Sequence, residues 1–171
     1  MKFSNNGIAI LKTLEGSVKI GDKHIIYDDK SGKPIVEKGP LPRGATIGYG
    51  HLIKRGENFE NGIPESVATA ILRSDVAIAE RAVNDNILVP ITQNQFDALV
   101  MLAYNIGAAN FAASTVVKYI NNQNFHSSIY PNLESAWKAW NRSGGKVSMG
   151  LANRRDKEWT VYNSVDFTHN L

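Results

Sequence analysis

Three side chains in the first third of the chain have types and spacing that could do acid–base chemistry: Glu15, one of the pair Asp28-Asp29, and Thr46. Glu15 directly precedes Gly16 at the end of a segment with helical spacing. It therefore falls at a helix C-terminus, where the partial negative charge of the backbone disfavours an ionised carboxylate. Partial burial would act in the same direction. Both effects favour the neutral form that a general acid needs near neutral pH. The plainer alternative is a surface glutamate in an unfavourable place. Asp28 and Asp29 follow Tyr27 at the end of a β-like run, where acidic residues also serve ordinary turns. Either could face Glu15. Glycoside hydrolysis requires two such carboxyl groups on opposite sides of the scissile bond: one protonates the leaving oxygen, and the other activates water or attacks the sugar. Thr46 opens the run Thr46-Ile47-Gly48-Tyr49-Gly50-His51. The glycines permit a sharp bend and close approach of a ligand to the backbone. The threonine hydroxyl both donates and accepts, so it could hold a water against a carboxylate.

These groups need a frame. Ile8, Leu11 and Leu14, with Phe3 just ahead, predict a helix over 4–15, capped by Ser4 or Asn5 and ended by Gly16. Over 17–51, glycines and prolines punctuate the β-like runs Ile25-Ile26-Tyr27, Pro34-Ile35-Val36 and Ala45-Thr46-Ile47, which predicts a small twisted antiparallel sheet with long connections. The stretch Lys38-Gly39-Pro40-Leu41-Pro42-Arg43-Gly44 cannot be regular structure. Pro64 and Glu65 suit a helix start, and a helix is predicted to about residue 83 with Val67, Ala70, Ile71, Ile78 and Val83 turned inward. Thr92 and Gln95 form a capping box ahead of a strongly apolar helix over 94–106, ended by Gly107, with Phe96, Leu99, Val100, Ala103 and Tyr104 spaced to fill a core. Further helices are expected over 114–121, 132–140 and 151–162. The whole predicts an α+β fold in one domain over 1–171: a small sheet-containing lobe over about 17–60, and a helical lobe over about 64–171 that takes in the first helix.

Composition narrows the function classes. A chain of 171 residues, 43% hydrophobic and 20% charged, can bury a core without covalent staples. With no cysteine, disulfides and a cysteine-liganded zinc site are excluded. Four scattered histidines lack metal-ligand spacing, so neither metal nor cofactor is expected. The net charge of +3 and a pI near 9.1 are a mild excess, compatible with an anionic partner such as nucleic acid, an acidic lipid surface or a bacterial wall, although a solvated surface without electrostatic purpose is the more ordinary reading. Asn5, Asn6, Gly7 and Lys12 interrupt the N-terminal segment, so no signal peptide or membrane anchor is expected there.

The motifs Leu14-Glu15-Gly16, Tyr27-Asp28-Asp29, Thr46-Ile47-Gly48-Tyr49-Gly50-His51, Asn94-Gln95-Phe96-Asp97-Ala98-Leu99-Val100 with Asn105-Ile106-Gly107, Phe111-Ala112-Ala113-Ser114-Thr115-Val116, and Trp140-Asn141-Arg142-Ser143-Gly144-Gly145-Lys146 with Arg154-Arg155 occur in an order that resembles the phage-type lysozyme family, the muramidases that include many phage endolysins. The resemblance covers nearly the whole chain. It implies a lysozyme-like fold and a catalytic trio of Glu15, Asp29 and Thr46. The implied reaction is hydrolysis of the β-1,4 bond from N-acetylmuramic acid to N-acetylglucosamine in peptidoglycan, with inversion. Glu15 would protonate the glycosidic oxygen, while Asp29 and Thr46 would hold the attacking water. Inversion expects the two carboxyls roughly 6.5–9.5 Å apart. Relative to compact members of the family, the segments 19–24 and 33–43 look enlarged, and a one-residue slip there would exchange Asp28 for Asp29. The resemblance also implies that Tyr104, Asn105 and Ser114 border the sugar site, that the chain acts as a monomer from the host cytoplasm on the periplasmic wall, and that a separate pore-forming protein releases it.

Other residues have more ordinary expectations. His51 is expected to pair with Asp75 as a structural histidine. Trp137, Trp140 and Trp159 fall at helical spacing and suit a core better than a sugar platform. Arg142, Lys146, Arg154 and Arg155 form a basic cluster, read as a solvated helical face or as a contact for anionic wall or lipid. Two rival functions stand beside the muramidase: a lytic transglycosylase, which needs no water-holding aspartate, and a non-catalytic wall-binding module on the same fold.

Overall fold

The computed structural model describes residues 1–36 and 39–165; Lys38, in the expected irregular stretch, lies outside them. Helix α1 (Asn5–Glu15) forms where the apolar spacing places it. The Ser4 hydroxyl accepts from the Gly7 amide at 2.9 Å and caps the start. Gly16, at φ +67°, donates its amide to Lys12 O at 3.0 Å and stops the helix one residue after Glu15. The chain divides into two compact units, residues Ala9–Val76 and residues Met1–Ile8 with Ala77–Leu171.

The unit Ala9–Val76 holds two three-stranded antiparallel sheets. In the first, β1 (Lys19–Ile20), β2 (Lys23–His24) and β6 (Ile63–Pro64) run in the order β1-β2-β6. In the second, β3 (Tyr27–Asp28), β4 (Ala45–Ile47) and β5 (His51–Leu52) run β3-β4-β5, with Tyr27 opposite Thr46 and Ile47 opposite His51. The expected Pro34-Ile35-Val36 strand reduces to one bridge between Tyr27 and Pro34. Leu11, Ile26, Ile47, Ile63 and Leu72 are buried in this unit.

Helix α2 (Glu65–Asn86) begins at Glu65 and runs three residues beyond the expected end. Its inward stripe also differs. Ala68, Leu72, Val76, Ala79 and Val83 are buried, whereas Val67 and Ile78 are 39% and 63% exposed and Ala70 is exposed too. The branched residues suggested one stripe, and a neighbouring stripe richer in alanine packs instead, because small side chains let the backbone approach its neighbours.

In the second unit the capping box forms as expected: Thr92 Oγ1 accepts from the Gln95 amide and Gln95 Oε1 from the Thr92 amide, opening α3 (Gln93–Ile106). Eight consecutive α3 residues, Phe96 to Ala103, are buried, so this helix is enclosed on every side. Tyr104, expected inward, is only half-buried. Two short helices follow, α4 (Ala108–Ala113), which the sequence reading did not anticipate, and α5 (Thr115–Asn121). Asn132 and Ser148 then cap α6 (Leu133–Lys138) and α7 (Met149–Tyr162). Between them lies the hairpin of β7 (Arg142–Ser143) and β8 (Lys146–Val147), also unanticipated. Gly144 and Gly145, at φ +56° and +78°, supply its two left-handed turn positions. Helix α7 packs along α3, and Trp137, Trp159 and Tyr162 form an aromatic cluster with centroids 5.2–5.7 Å apart.

The expected basic cluster divides: Arg142 and Lys146 are exposed on the β7–β8 hairpin, whereas Arg154 and Arg155 are not on a solvated face. Arg155 is fully buried and Arg154 is 8% exposed. Both reach the buried Glu158 carboxylate, at 2.9 and 3.1 Å, and Trp137 Nε1 donates to the same group at 3.1 Å. Arg155 also donates to Asn105 Oδ1 at 2.7 Å and Trp140 O at 3.3 Å. Glu158 lies three and four residues past the two arginines, a spacing that brings all three onto one helical face. Neither arginine is available to a wall or a membrane.

Candidate active site

Glu15, Asp29 and Thr46 all belong to the unit Ala9–Val76. Glu15 stands half-buried on the last residue of α1. Its carboxylate runs beside the turn at Gly50, where an added Cβ would lie 3.6 Å from Glu15 Oε2. Gly50 has φ +87°, so an L side chain would be strained there, with its Cβ in ordinary contact with the acid.

One neighbour sets both Asp29 and Thr46. The Asp29 amide donates to Gly44 O at 3.2 Å, and Thr46 Oγ1 donates to the same carbonyl at 3.0 Å. One backbone oxygen thus anchors both residues. Asp29 is exposed and Thr46 is buried. Because the Thr46 proton is committed to Gly44, the hydroxyl can only accept a further hydrogen bond, a narrower part than the two-way role expected from residue type.

Tyr27 joins the acids. Its side chain is buried on β3, opposite Thr46. Burial pushes its hydroxyl pKa up, the charges of Asp29 and Glu15 push it further, and hydrogen bonding to the Gly50 backbone pulls it partly back. The Tyr27 hydroxyl therefore lies in the field of both candidate carboxylates and against the glycine that flanks Glu15. The sequence reading used Tyr27 only as a motif marker; its position two residues before Asp29 was the available signal.

Asp28 has a different occupation. Its Oδ1 accepts from the Ser31 amide at 2.8 Å, closing the turn after β3. Hydrogen bonds from Ser31 hold its carboxyl below the usual range. Its own amide and carbonyl are bonded to Lys33 O and the Gly32 amide. This is the turn chemistry that the sequence allowed for either aspartate.

Two further groups brace the site. His51 Nδ1 meets Asp75 at 2.7 Å, the expected pair, and Nε2 meets Glu57 at 2.9 Å, which the sequence did not disclose. Burial lowers the His51 pKa, but the two carboxylates more than offset it and the net direction is upward. A histidine raised by folding stabilises fully below its unfolded value of about 6.5 and loses that contribution as pH rises through the folded value. The wild type is therefore expected to lose more melting temperature than His51→Gln between pH 6 and pH 9, measured by circular dichroism; equal losses would remove His51 as the cause. The second group is Glu65, whose carboxyl is held well below its usual range despite burial by hydrogen bonds from Lys12, Lys19, Tyr49 and His24. The same bond, after burial, pushes the Tyr49 hydroxyl up to about 12.

Tyr104, Asn105 and Ser114 lie in the other unit. Asn105 and Ser114 line a cavity of about 730 Å³ whose walls include Tyr130, Trp140 and Arg142. Tyr104 is not among its lining residues. Ser114 is buried, and its hydroxyl caps α5 by accepting from the Val117 amide at 3.3 Å. Trp137 is core as expected, but Trp140 is only half-buried and stands on the cavity wall. Among the described residues no group of three potential ligands is placed to hold a metal, and no helix is long and apolar enough to cross a membrane.

Comparison with known proteins places the chain in a family. A family model described as phage lysozyme matches residues 27–158. The endolysin of Bacillus phage PZA is 36% identical over 96% of this chain and 56% of its own length, and that of Salmonella phage P22 is 32% identical over 91% and 94%. The chain thus spans little more than half of the Bacillus phage relatives it matches. Among solved structures, the endolysin of Escherichia coli O157:H7 phage FAHEc1 superposes with a TM-score of 0.70 at 34% identity, covering 95% of this chain and 94% of the other. The muramidase domain of SpmX from Asticaccaulis excentricus superposes with a TM-score of 0.72 at 28% identity, covering 96% of this chain and 99% of the other.

Proposed function

Since the chain belongs to the phage lysozyme family, we propose that it is an endolysin-type muramidase, hydrolysing the β-1,4 bond between N-acetylmuramic acid and N-acetylglucosamine in peptidoglycan with inversion and so lysing a bacterial host. The observation that supports this reading is that Asp29 and Thr46 hang from the same Gly44 carbonyl while the turn at Gly50 lies beside Glu15 Oε2.

In this mechanism Glu15 delivers its proton to the glycosidic oxygen as the bond breaks. Asp29 takes a proton from the attacking water as it adds to the anomeric carbon from the opposite face. Thr46 accepts the water's other proton in a hydrogen bond, which turns a lone pair toward the sugar. Asn105, Ser114 and Tyr104 are the proposed sugar contacts. No cofactor or metal takes part, the chain works as a monomer on glycan strands, and a separate pore-forming protein gives it access to the wall.

The test is digestion of purified peptidoglycan with fragments read by mass spectrometry. Wild type is expected to give reducing-end muramic acid, one water heavier than the anhydro product of a transglycosylase. Asp29→Asn is expected to lose at least about 100-fold in rate, whereas Asp28→Asn, altering a turn carboxylate, retains most of it. Anhydro products would replace the hydrolase with the transglycosylase. A dead Asp28→Asn beside an active Asp29→Asn would exchange their roles.

A further inference from the structure

Glu65, the first residue of α2, gathers four side chains from three other elements and one turn. Its Oε1 accepts from Lys12 Nζ at 2.8 Å and Tyr49 Oη at 2.7 Å; its Oε2 accepts from Lys19 Nζ and His24 Nε2, both at 2.8 Å. The contacts are mutually braced. Lys12 Nζ also donates to Thr69 Oγ1 at 2.7 Å and lies 5.3 Å from the Tyr49 ring centroid, and the His24 and Tyr49 rings meet edge-on at 4.9 Å. His24 is fully buried. A carboxylate at a helix N-terminus is well placed to be ionised, and two lysines balance its charge.

Stability does not account for this convergence. The Glu65 side chain is 46% exposed, and ion pairs open to water to that degree contribute little. Position does. Lys12 sits one helical turn before Glu15 on α1, and Tyr49 is bonded in sequence to Gly50, which flanks the Glu15 carboxylate and hydrogen-bonds Tyr27. The two bonds to Glu65 Oε1 therefore tie the helical turn that carries the acid to the hairpin turn it lies against. Without them, α1 and the turn at 48–50 are free to slide by fractions of an ångström, and misplacement by about 1 Å costs on the order of 100-fold in rate.

We propose that Glu65 is a positioning residue for the acid: it fixes the last turn of α1 against the 48–50 turn and so sets where Glu15 presents its carboxyl. This rests on the muramidase reading. The test compares Glu65→Gln with wild type on a soluble glycan-strand fragment, well below the melting temperature and normalised to folded protein by circular dichroism. Glu65→Gln keeps the shape of the side chain and removes its charge. The expected result is a fall in kcat of about 10- to 100-fold, with KM within twofold of wild type. Glu80→Gln is the control, because Glu80 on the same helix receives Lys2 Nζ and the Phe3 amide, both at 2.8 Å, away from the three site residues. It is expected to keep wild-type kcat. Should Glu65→Gln fail to fold, Tyr49→Phe removes one bond of the tie and keeps the ring; it is expected to lower kcat severalfold at unchanged KM. Retention of kcat within twofold in the folded variant, or an equal loss in Glu80→Gln, overturns the proposal. A wild type that leaves the strand uncut overturns the muramidase reading itself, which the same assay reports separately.

Discussion

Glu15→Gln is expected to abolish lysis of permeabilised Gram-negative cells while the protein stays folded. The substitution keeps the size of the side chain and its half-buried place at the end of α1, beside Gly50. What it removes is the transferable proton. A sugar alkoxide is a poor leaving group, so bond cleavage depends on protonation of the glycosidic oxygen in the transition state, and a positioned acid contributes about 10²–10⁴-fold. A loss in that range is expected in turbidity assays, with an unchanged or higher melting temperature because a carboxylate at a helix C-terminus opposes the dipole. Glutamine can still hydrogen-bond the sugar, so binding of glycan fragments should persist. Full activity in the variant would mean that another group supplies the proton. Loss of binding together with rate would mean that Glu15 holds substrate rather than protonating it.

The second large effect concerns stability. Glu158→Leu is expected to cost about 3–5 kcal/mol, because it strands the buried guanidinium of Arg155 and the nearly buried one of Arg154. Burial pushes the Glu158 carboxyl up, and the two arginines and the Trp137 indole pull it back, so the group persists only as part of its network. The cost of removing one partner is mostly the charge left behind, not the strength of the bond lost. The triple variant Glu158→Leu, Arg154→Met, Arg155→Met should accordingly be more stable than Glu158→Leu alone. Urea unfolding followed by tryptophan fluorescence measures both. A triple variant less stable than the single would show that the arginines stabilise by other contacts, of which the Asn105 and Trp140 bonds of Arg155 are the obvious ones.

Much of this was legible in the residues, and the exceptions share a cause. Helix α3 announced itself through Thr92, Gln95 and an unbroken apolar run, all of which act locally. The same holds for the Ser4 cap and for Gly16, which ends α1 just after Glu15. On α2, apolar side chains occur on adjoining faces, so periodicity alone does not decide between Val67–Ile71–Ile78 and Ala68–Leu72–Val76–Ala79; the choice belongs to the partner surface. Arg154 and Arg155 looked solvated because arginines usually are, and only Glu158 at the right helical spacing argued otherwise. Glu65 was read as a helix-start residue, which it is, but Lys12, Lys19, His24 and Tyr49 are brought to it by tertiary folding. The Asp28–Asp29 choice turned on which carboxylate closes the turn at Ser31, a matter of a few dihedral angles.

An ordinary helix has a wet side on which substitutions accumulate at little cost. Over 96–103, α3 has none: all eight residues are buried, among them Asp97, which accepts from the Ser4 and Gln93 side chains and from the Ser4 amide. Every position there is constrained by volume, and Asp97 by its partners too. A library randomised over these eight residues would yield the smallest fraction of folded clones of any comparable window, and the survivors would be chosen by shape, with nothing about the chemistry of the site entering the selection.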